Sequence, residues 1–146
     1  NELNVDYAFN YKKTDNLVLK LKEIMPDGFD LYFDNVGGDF LEAAIFRMKN
    51  YGRIVICGRI SQMNSTKTPE GLKNIAHVLV KRLTIKGFLI FDHENESENF
   101  QNDMSSWLKN KKILSKHTFY EGLDNAPKAF VDLLNGKNIG KMLVKI

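Results

Sequence analysis

Apolar residues along this chain repeatedly change spacing, from every second residue to about every 3.6 residues and back. Spacing of two lines one face of a strand; spacing of 3.6 lines one face of a helix. A chain that keeps alternating between them must return each strand to the sheet through a helix. That predicts an α/β layer with a mostly parallel sheet and helices on both faces.

The pattern opens with a short strand over Val5–Asn10. Thr14 or Asp15 then caps a helix with Leu17, Leu21 and Ile24 on one face, ended by the turn Met25-Pro26-Asp27-Gly28. Phe29–Asn35 reads as a strand. Gly37-Gly38-Asp39 opens a helix carrying Phe40, Leu41, Ala44, Ile45 and Met48, and Gly52 stops it before a strand over Arg53–Cys57. A polar loop over Gly58–Gly71, with Ser61, Asn64, Ser65, Thr66 and Pro69, leads to a helix over Leu72–Arg82 and a strand over Leu83–Phe91. Past acidic Asp92–Ser97, residues Phe100, Met104, Trp107 and Leu108 mark a helix whose lysines 109, 111 and 112 complement its C-terminal dipole. A short strand, His117–Tyr120, precedes a helix capped by Asp124 or Asn125, with Pro127 in its first turn and Gly136 past its end. Met142, Val144 and Ile146 alternate with Lys141 and Lys145 in a final strand. No internal repeat or low-complexity segment interrupts this order.

Composition narrows the function. With 146 residues, 43% hydrophobic and 27% charged, the chain is long enough for a real core and is neither disordered, collagen-like nor a disulfide scaffold. The net charge of +3 comes without a long basic run, which argues against nucleic acid as a partner. The longest apolar runs, such as Ile54–Cys57 and Phe88–Phe91, fall far short of the roughly 20 residues of a membrane span. Cys57 is alone, so no internal disulfide forms; a reducing, cytoplasmic setting is expected.

Ligands of open α/β sheets bind outside the carboxyl ends of the strands. Two loops fall there: Asp34-Asn35-Val36-Gly37-Gly38 and Cys57-Gly58-Arg59-Ile60-Ser61. If their strands are parallel neighbours, both open into one crevice. Glycines allow backbone to approach a ligand, while the Asn35 amide and Ser61 hydroxyl suit ribose or amide groups. The same glycines serve equally well to start a helix and turn the chain. No GxGxxG or GxxxxGK[ST] loop is present, so no diphosphate cradle is visible. Nor is there a CxxC or HExxH. His77, His93 and His117 lie on separate elements, and no metal site is expected. Cys57 sits in an apolar strand and reads as a packing residue; Ser61 has no evident base, so no hydrolytic triad follows.

The succession F-N-Y-K (Phe9–Lys12), P-D-G-F-D (Pro26–Asp30), F-D-N-V-G-G (Phe33–Gly38), G-R-I-V-I-C-G-R-I-S (Gly52–Ser61) and G-K-N-I-G-K (Gly136–Lys141) spans nearly the whole chain. It resembles the zinc-independent prostaglandin and alkenal/alkenone reductases of the medium-chain dehydrogenase/reductase superfamily. The resemblance implies an incomplete Rossmann-type sheet that binds NADP(H), plus a C-terminal helix and strand. It implies reduction of a carbon–carbon double bond conjugated to a carbonyl, with an enone or enal as substrate, and a homodimer joined through the Leu83–Phe91 region.

By position, the resemblance puts Tyr11 beside the adenosine 2′-phosphate and Asn35 against the cofactor. It makes Cys57, Gly58, Arg59, Ile60, Ser61, Gln62 and Met63 the loop lining the cofactor. Phe88, Leu89 and Ile90 match the strand end near the nicotinamide, and Asn138 a C-terminal asparagine that reaches back to it. Tyrosines that the family often carries near residues 61–64 and before Leu83 are replaced here by Gln62-Met63 and the tyrosine-free stretch His77–Lys81, so the donor to the enolate oxygen is unassigned.

The resemblance further implies the C-terminal part of a reductase, starting just before the third Rossmann strand and without the catalytic domain and glycine-rich βα unit. On that reading residues 1–121 are a partial NADP-binding domain. Residues 122–146 would complete the absent catalytic domain, with which the final strand pairs. Two other readings are a non-catalytic nucleotide-binding or dimerisation module and, with less to support it, an unrelated Rossmann-like enzyme such as a methyltransferase.

Overall fold

Phe29–Asp34 and Met48–Ile56 carry the aromatic and β-branched residues that favour strands, and they pair in parallel as β1 and β2. The structure, a computed structural model, describes residues 2–63 and 71–146. Asn64, Ser65, Thr66 and Pro69 of the expected polar loop lie outside the described residues. The chain divides into two compact units, Val5–Glu94 and a second built chiefly of Asn95–Ile146.

In the first unit, β3 (Thr84–Gly87) joins β2 in parallel, giving the order β1-β2-β3. Helix α1 (Leu17–Ile24) packs on α2 (Asp39–Arg47). A single turn, α3 (Ile60–Met63), follows β2, and α4 (Ile75–Lys81) contacts both α2 and β2. Leu41, Ile45, Met48 and Ile54 form the core between α2 and the sheet, with Phe29, Tyr32, Ile56, Val78, Leu83 and Ile85 packed around them. Each of those four buried side chains contributes about 2 kcal/mol. Leu31 and Phe33, which flank the inward-facing Tyr32 on β1, stay more than half exposed on the opposite face.

Val5–Asn10 is not a strand: it runs without a ladder into a 3-10 turn over Tyr11–Lys13, held by the Asn10 side chain accepting from the Lys12 amide at 3.0 Å. Alternation alone makes no strand where no neighbouring strand takes up the backbone groups. The cap of α1 is Asn16, whose side chain accepts from Leu19 N–H at 3.0 Å, rather than Thr14 or Asp15.

Gly52 does not stop α2, which ends at Arg47; Met48 already belongs to β2. Phe29 pairs with Met48 but Leu31 pairs with Arg53, so β2 bulges between them. Tyr51 takes a positive φ of 64° in that bulge, and a Cβ on Gly52 would fall 2.3 Å from Cε of Met48. The carbonyls at the end of α2 are met instead by Lys81, whose ammonium donates to Phe46 O at 2.6 Å and Met48 O at 2.8 Å.

Leu83–Phe91 is a strand only over Thr84–Gly87. Phe88 N–H reaches Ile56 O at 2.9 Å; Ile56 is the last residue of β2, and beyond it the chain enters a 3-10 stretch over Ile90–Glu96. The α4 helix starts three residues later than its apolar pattern. Lys73 and Asn74 N–H donate to the Glu42 carboxylate at 2.8 and 3.0 Å, which supplies the cap from another helix.

In the second unit, α5 (Ser97–Lys109) precedes β4 (His117–Glu121), α6 (Ala126–Leu134) and β5 (Lys141–Lys145). β4 and β5 pair in parallel from His117↔Lys141 to Glu121↔Lys145, so β4 takes one edge of the final strand. Asn125 stands at the start of α6 but turns its amide to Glu121 O at 2.7 Å and gives no side-chain cap. Gly136, at φ 67°, ends α6 as expected, with Gly136 N–H on Leu133 O and Lys137 N–H on Asp132 O. Among the described residues no helix is long and apolar enough to cross a membrane.

Candidate functional site

The carboxyl ends of β1 and β2 are adjacent, because Asp34 pairs with Ile56 in the parallel register. Both following loops therefore open at the same end of the sheet. Asp34 is fully buried there. Its carboxylate accepts from Val36 N–H at 2.9 Å, from Gly37 N–H at 3.0 and 3.1 Å, and from the Tyr32 hydroxyl at 3.0 Å. Burial, then the neighbouring Asp34 charge, push the Tyr32 phenol well above its ordinary range and keep it a donor.

The Asp34 carbonyl accepts from Cys57 N–H at 2.8 Å and Gly58 N–H at 3.0 Å, and the Val36 carbonyl from Ser61 N–H at 3.1 Å. One buried acid and three residues of backbone thus lock the two loops together. Sequence reasoning marked the loop but not Asp34 as its organiser. The available signal was an acid at a strand end followed by two glycines.

Asn35 is exposed on the first loop, and its side-chain amide has no partner among the described residues. Ser61 faces its neighbour: its hydroxyl donates to Val36 O at 2.6 Å, leaving only its lone pairs for a ligand. Cys57 and Gly58 are half-buried just past β2, with Arg59 exposed after them; in α3 Gln62 is half-buried, and Ile60, Ser61 and Met63 are exposed. Glycine is required twice for close approach. Gly38 has φ 56° with Ser61 Oγ only 3.0 Å from where a Cβ would sit, and a Cβ on Gly58 would lie 2.9 Å from Asn35 O.

Phe88 follows β3 at this same end, its ring 6.0 Å from Phe33 and stacked on His93 at 5.0 Å. Leu89 and Ile90 are exposed just beyond it. Tyr11 arrives from the N-terminal side: its ring meets Phe40, two residues past Gly38, edge-on at 5.3 Å. Tyr11 and Phe40 also line an apolar cavity of about 500 Å³ with Val5, Phe9, Leu21 and Met25. Asn138 belongs to the second unit, where its amide donates to Gly140 O at 2.6 Å. The first unit thus gathers Tyr11, Asn35, the 57–63 loop and Phe88–Ile90 on one end of its sheet.

Two glycine-bearing loops at the carboxyl ends of adjacent parallel strands are the arrangement at which open α/β sheets, as a class, bind their ligands. The family model for zinc-binding dehydrogenases matches residues 1–110, and the chain belongs to that family, within the medium-chain dehydrogenase/reductase superfamily. It is 42% identical over 141 residues to the NADP(+)-dependent 2-alkenal reductase of Nicotiana tabacum, covering 97% of this chain and 41% of that protein. It is 40% identical over 141 residues to prostaglandin reductase 1 of Bos taurus, covering 96% of this chain and 43% of that protein. The crystal structure of CurA from Vibrio vulnificus in complex with NADPH superimposes with a TM-score of 0.80 at 40% identity, over 91% of this chain and 41% of that one. The chain therefore spans about two fifths of the length of the relatives it matches, and its fold is an incomplete Rossmann-type α/β arrangement.

The family name raises the question of zinc. Among the described residues no three His, Cys, Asp or Glu side chains come together to hold a metal, so these residues do not fit a zinc site.

Proposed function

We propose that this chain is part of an NADPH-dependent reductase of the carbon–carbon double bond in α,β-unsaturated aldehydes and ketones. The observation that carries this reading is the match, at 40–42% identity over almost the whole chain, to an alkenal reductase and a prostaglandin reductase. The NADPH-bound CurA structure supports the cofactor. The site itself is compatible: an uncommitted Asn35 amide and an exposed Tyr11 ring flank two loops whose glycines leave room for a ligand against backbone.

When bound, NADPH supplies a hydride for the β-carbon of the substrate. This chain's residues hold and orient. Tyr11, with Lys12 and Lys13 beside it, offers a ring face and positive charge to the 2′-phosphate of the adenosine end. Asn35 offers donor and acceptor to ribose or carboxamide groups, the 57–63 loop forms one wall, and Phe88 to Ile90 give an apolar wall for the nicotinamide end. Asn138 contributes from the C-terminal segment. The enzyme is a cytoplasmic homodimer on this reading, with residues 122–146 completing a catalytic domain.

The test compares kcat/KM for NADPH and NADH in the full-length protein with a simple enone. Preference for NADPH of at least about tenfold, reduced by Tyr11→Ala, is expected from charge-assisted contacts to the 2′-phosphate. Preference for NADH would sink the cofactor assignment. The other reading, a non-catalytic nucleotide-binding module, predicts NADPH binding with no turnover in the same assay.

A further inference from the structure

We infer that Asp132 is a positioning residue: its buried carboxylate clamps the Gly136–Gly140 segment and thereby fixes the orientation of Asn138. The inference rests on the proposed role of Asn138 toward the cofactor.

Asp132 lies on α6 with only 6% of its surface exposed. Both of its oxygens are committed. Oδ2 accepts from the Tyr120 hydroxyl of β4 at 2.5 Å, and Oδ1 from the Lys137 ammonium at 2.7 Å. Its carbonyl also accepts from Lys137 N–H at 3.0 Å. Lys137 is thus gripped at backbone and side chain by one residue. On the other side of Asn138, the Thr118 hydroxyl both accepts from Ile139 N–H at 2.9 Å and donates to Ile139 O at 3.1 Å. Gly140 presses so close to β4 that a Cβ on it would overlap Lys116 O, and Lys141 N–H donates to that carbonyl at 2.8 Å.

Between these anchors Asn138 alone is tied to neither β4 nor α6. Its amide donates to Gly140 O, and among the described residues its Oδ1 accepts no hydrogen bond. That arrangement turns the amide oxygen into an acceptor for a ligand hydroxyl or carboxamide N–H. An apolar residue at 132 would cover the same surface without the cost of desolvating a carboxylate. What it would lose is the grip on Lys137. Thr118 and Tyr120, two apart on β4 and so on one face, serve opposite ends of the same segment.

The experiment uses the full-length protein, isotope-labelled, with amide hydrogen exchange at Ile139 and the NMR signal of the Asn138 side-chain amide as readouts, the latter with and without millimolar NADPH. Asp132→Asn and Lys137→Met are compared with Lys137→Arg, which keeps the charge. Lys137 is mostly exposed, so its substitution leaves the fold in place even if Asp132→Asn does not. Exchange at Ile139 about tenfold faster in Asp132→Asn and Lys137→Met, restored in Lys137→Arg, is the expected result for loss of a charged hydrogen bond. The NADPH-induced shift of Asn138 shrinks in the same two variants. Unchanged Ile139 exchange in both would overturn the clamp whatever NADPH does. An Asn138 signal in the unaltered chain that ignores NADPH, while the signals of Asn35 and the 57–63 loop move, would instead remove the cofactor role of Asn138 and the positioning argument with it.

Discussion

Both carboxylate oxygens of Asp34 are committed to its own loop and to Tyr32, and its carbonyl ties the second loop. Asp34→Ala therefore strands the amides of Val36 and Gly37 and the hydroxyl of Tyr32 where water does not reach the carboxylate's place. A loss of about 3 kcal/mol is expected for a buried, charged acceptor with several donors. Urea denaturation reads it directly; a loss below about 1 kcal/mol, the worth of one ordinary hydrogen bond, would mean the loops hold together without this acid. Asp132 makes a different, pH-dependent claim. The hydrogen bond from Lys137, then that from Tyr120, hold its carboxyl below the usual range, so its contribution is present above the unfolded value near about 4 and lost as pH falls through the lower folded value. Tyr120 and Lys137 are both raised by the same bonds to Asp132. Their contributions are present below about pH 10 and are lost as pH rises through the raised values. The melting temperature should be level between about pH 5 and pH 9, falling on both sides, with both limbs shallower in Asp132→Asn. A variant profile parallel to the original would refute the assignment.

Elements were legible where their determinants are local. β1 and α2 follow from FDLYFD and from Gly38-Asp39 opening an amphipathic run, and the structure places them at Phe29–Asp34 and Asp39–Arg47. Val5–Asn10 and the second half of Leu83–Phe91 carry equally strong apolar patterns and form no strand. A ladder needs a second strand in register, and no residue within the segment encodes where that partner ends. The candidate site divides the same way: loop positions followed from strand ends, whereas the Ser61 bond to Val36 and the central place of Asp34 depend on a register between β1 and β2 that only the folded chain reveals. The β3 strand also carries a prediction. Among the described residues it pairs with β2 on one side only and ends the order β1-β2-β3, leaving a row of backbone groups at the edge. Such an edge recruits another strand. The full-length protein is expected to be a dimer through this edge, and light scattering that returned a monomer mass at micromolar concentration would count against it.

At the scale of the molecule, the question is whether this chain alone performs the proposed reduction. It spans about two fifths of the relatives it matches. Its sequence carries no G-x-G-x-x-G turn, the element that holds a dinucleotide's pyrophosphate at a helix N-terminus. Tyr11, Asn35 and the 57–63 loop can touch ribose, 2′-phosphate or nicotinamide groups, but each supplies a single weak contact. Holding the alkene against the nicotinamide also requires a second wall, and positioning of that kind is worth roughly 7–11 kcal/mol of barrier. One face of the β1-β2-β3 sheet keeps Leu31 58% and Phe33 52% exposed, and Leu79 and Phe91 stand out further still at 79% and 75%. Surfaces of that kind drive self-association. The purified 146-residue chain is therefore expected to bind NADPH no more tightly than millimolar, to turn over no enone, and to bind a hydrophobic dye and aggregate as its concentration rises. Fluorescence titration with NADPH, an absorbance assay of cofactor oxidation with a simple enone, and light scattering test the three in turn. Micromolar NADPH binding with measurable turnover would mean that these residues already hold both ends of the cofactor and a wall for the substrate, and that Asn35 and Asn138 do far more than a single weak contact each.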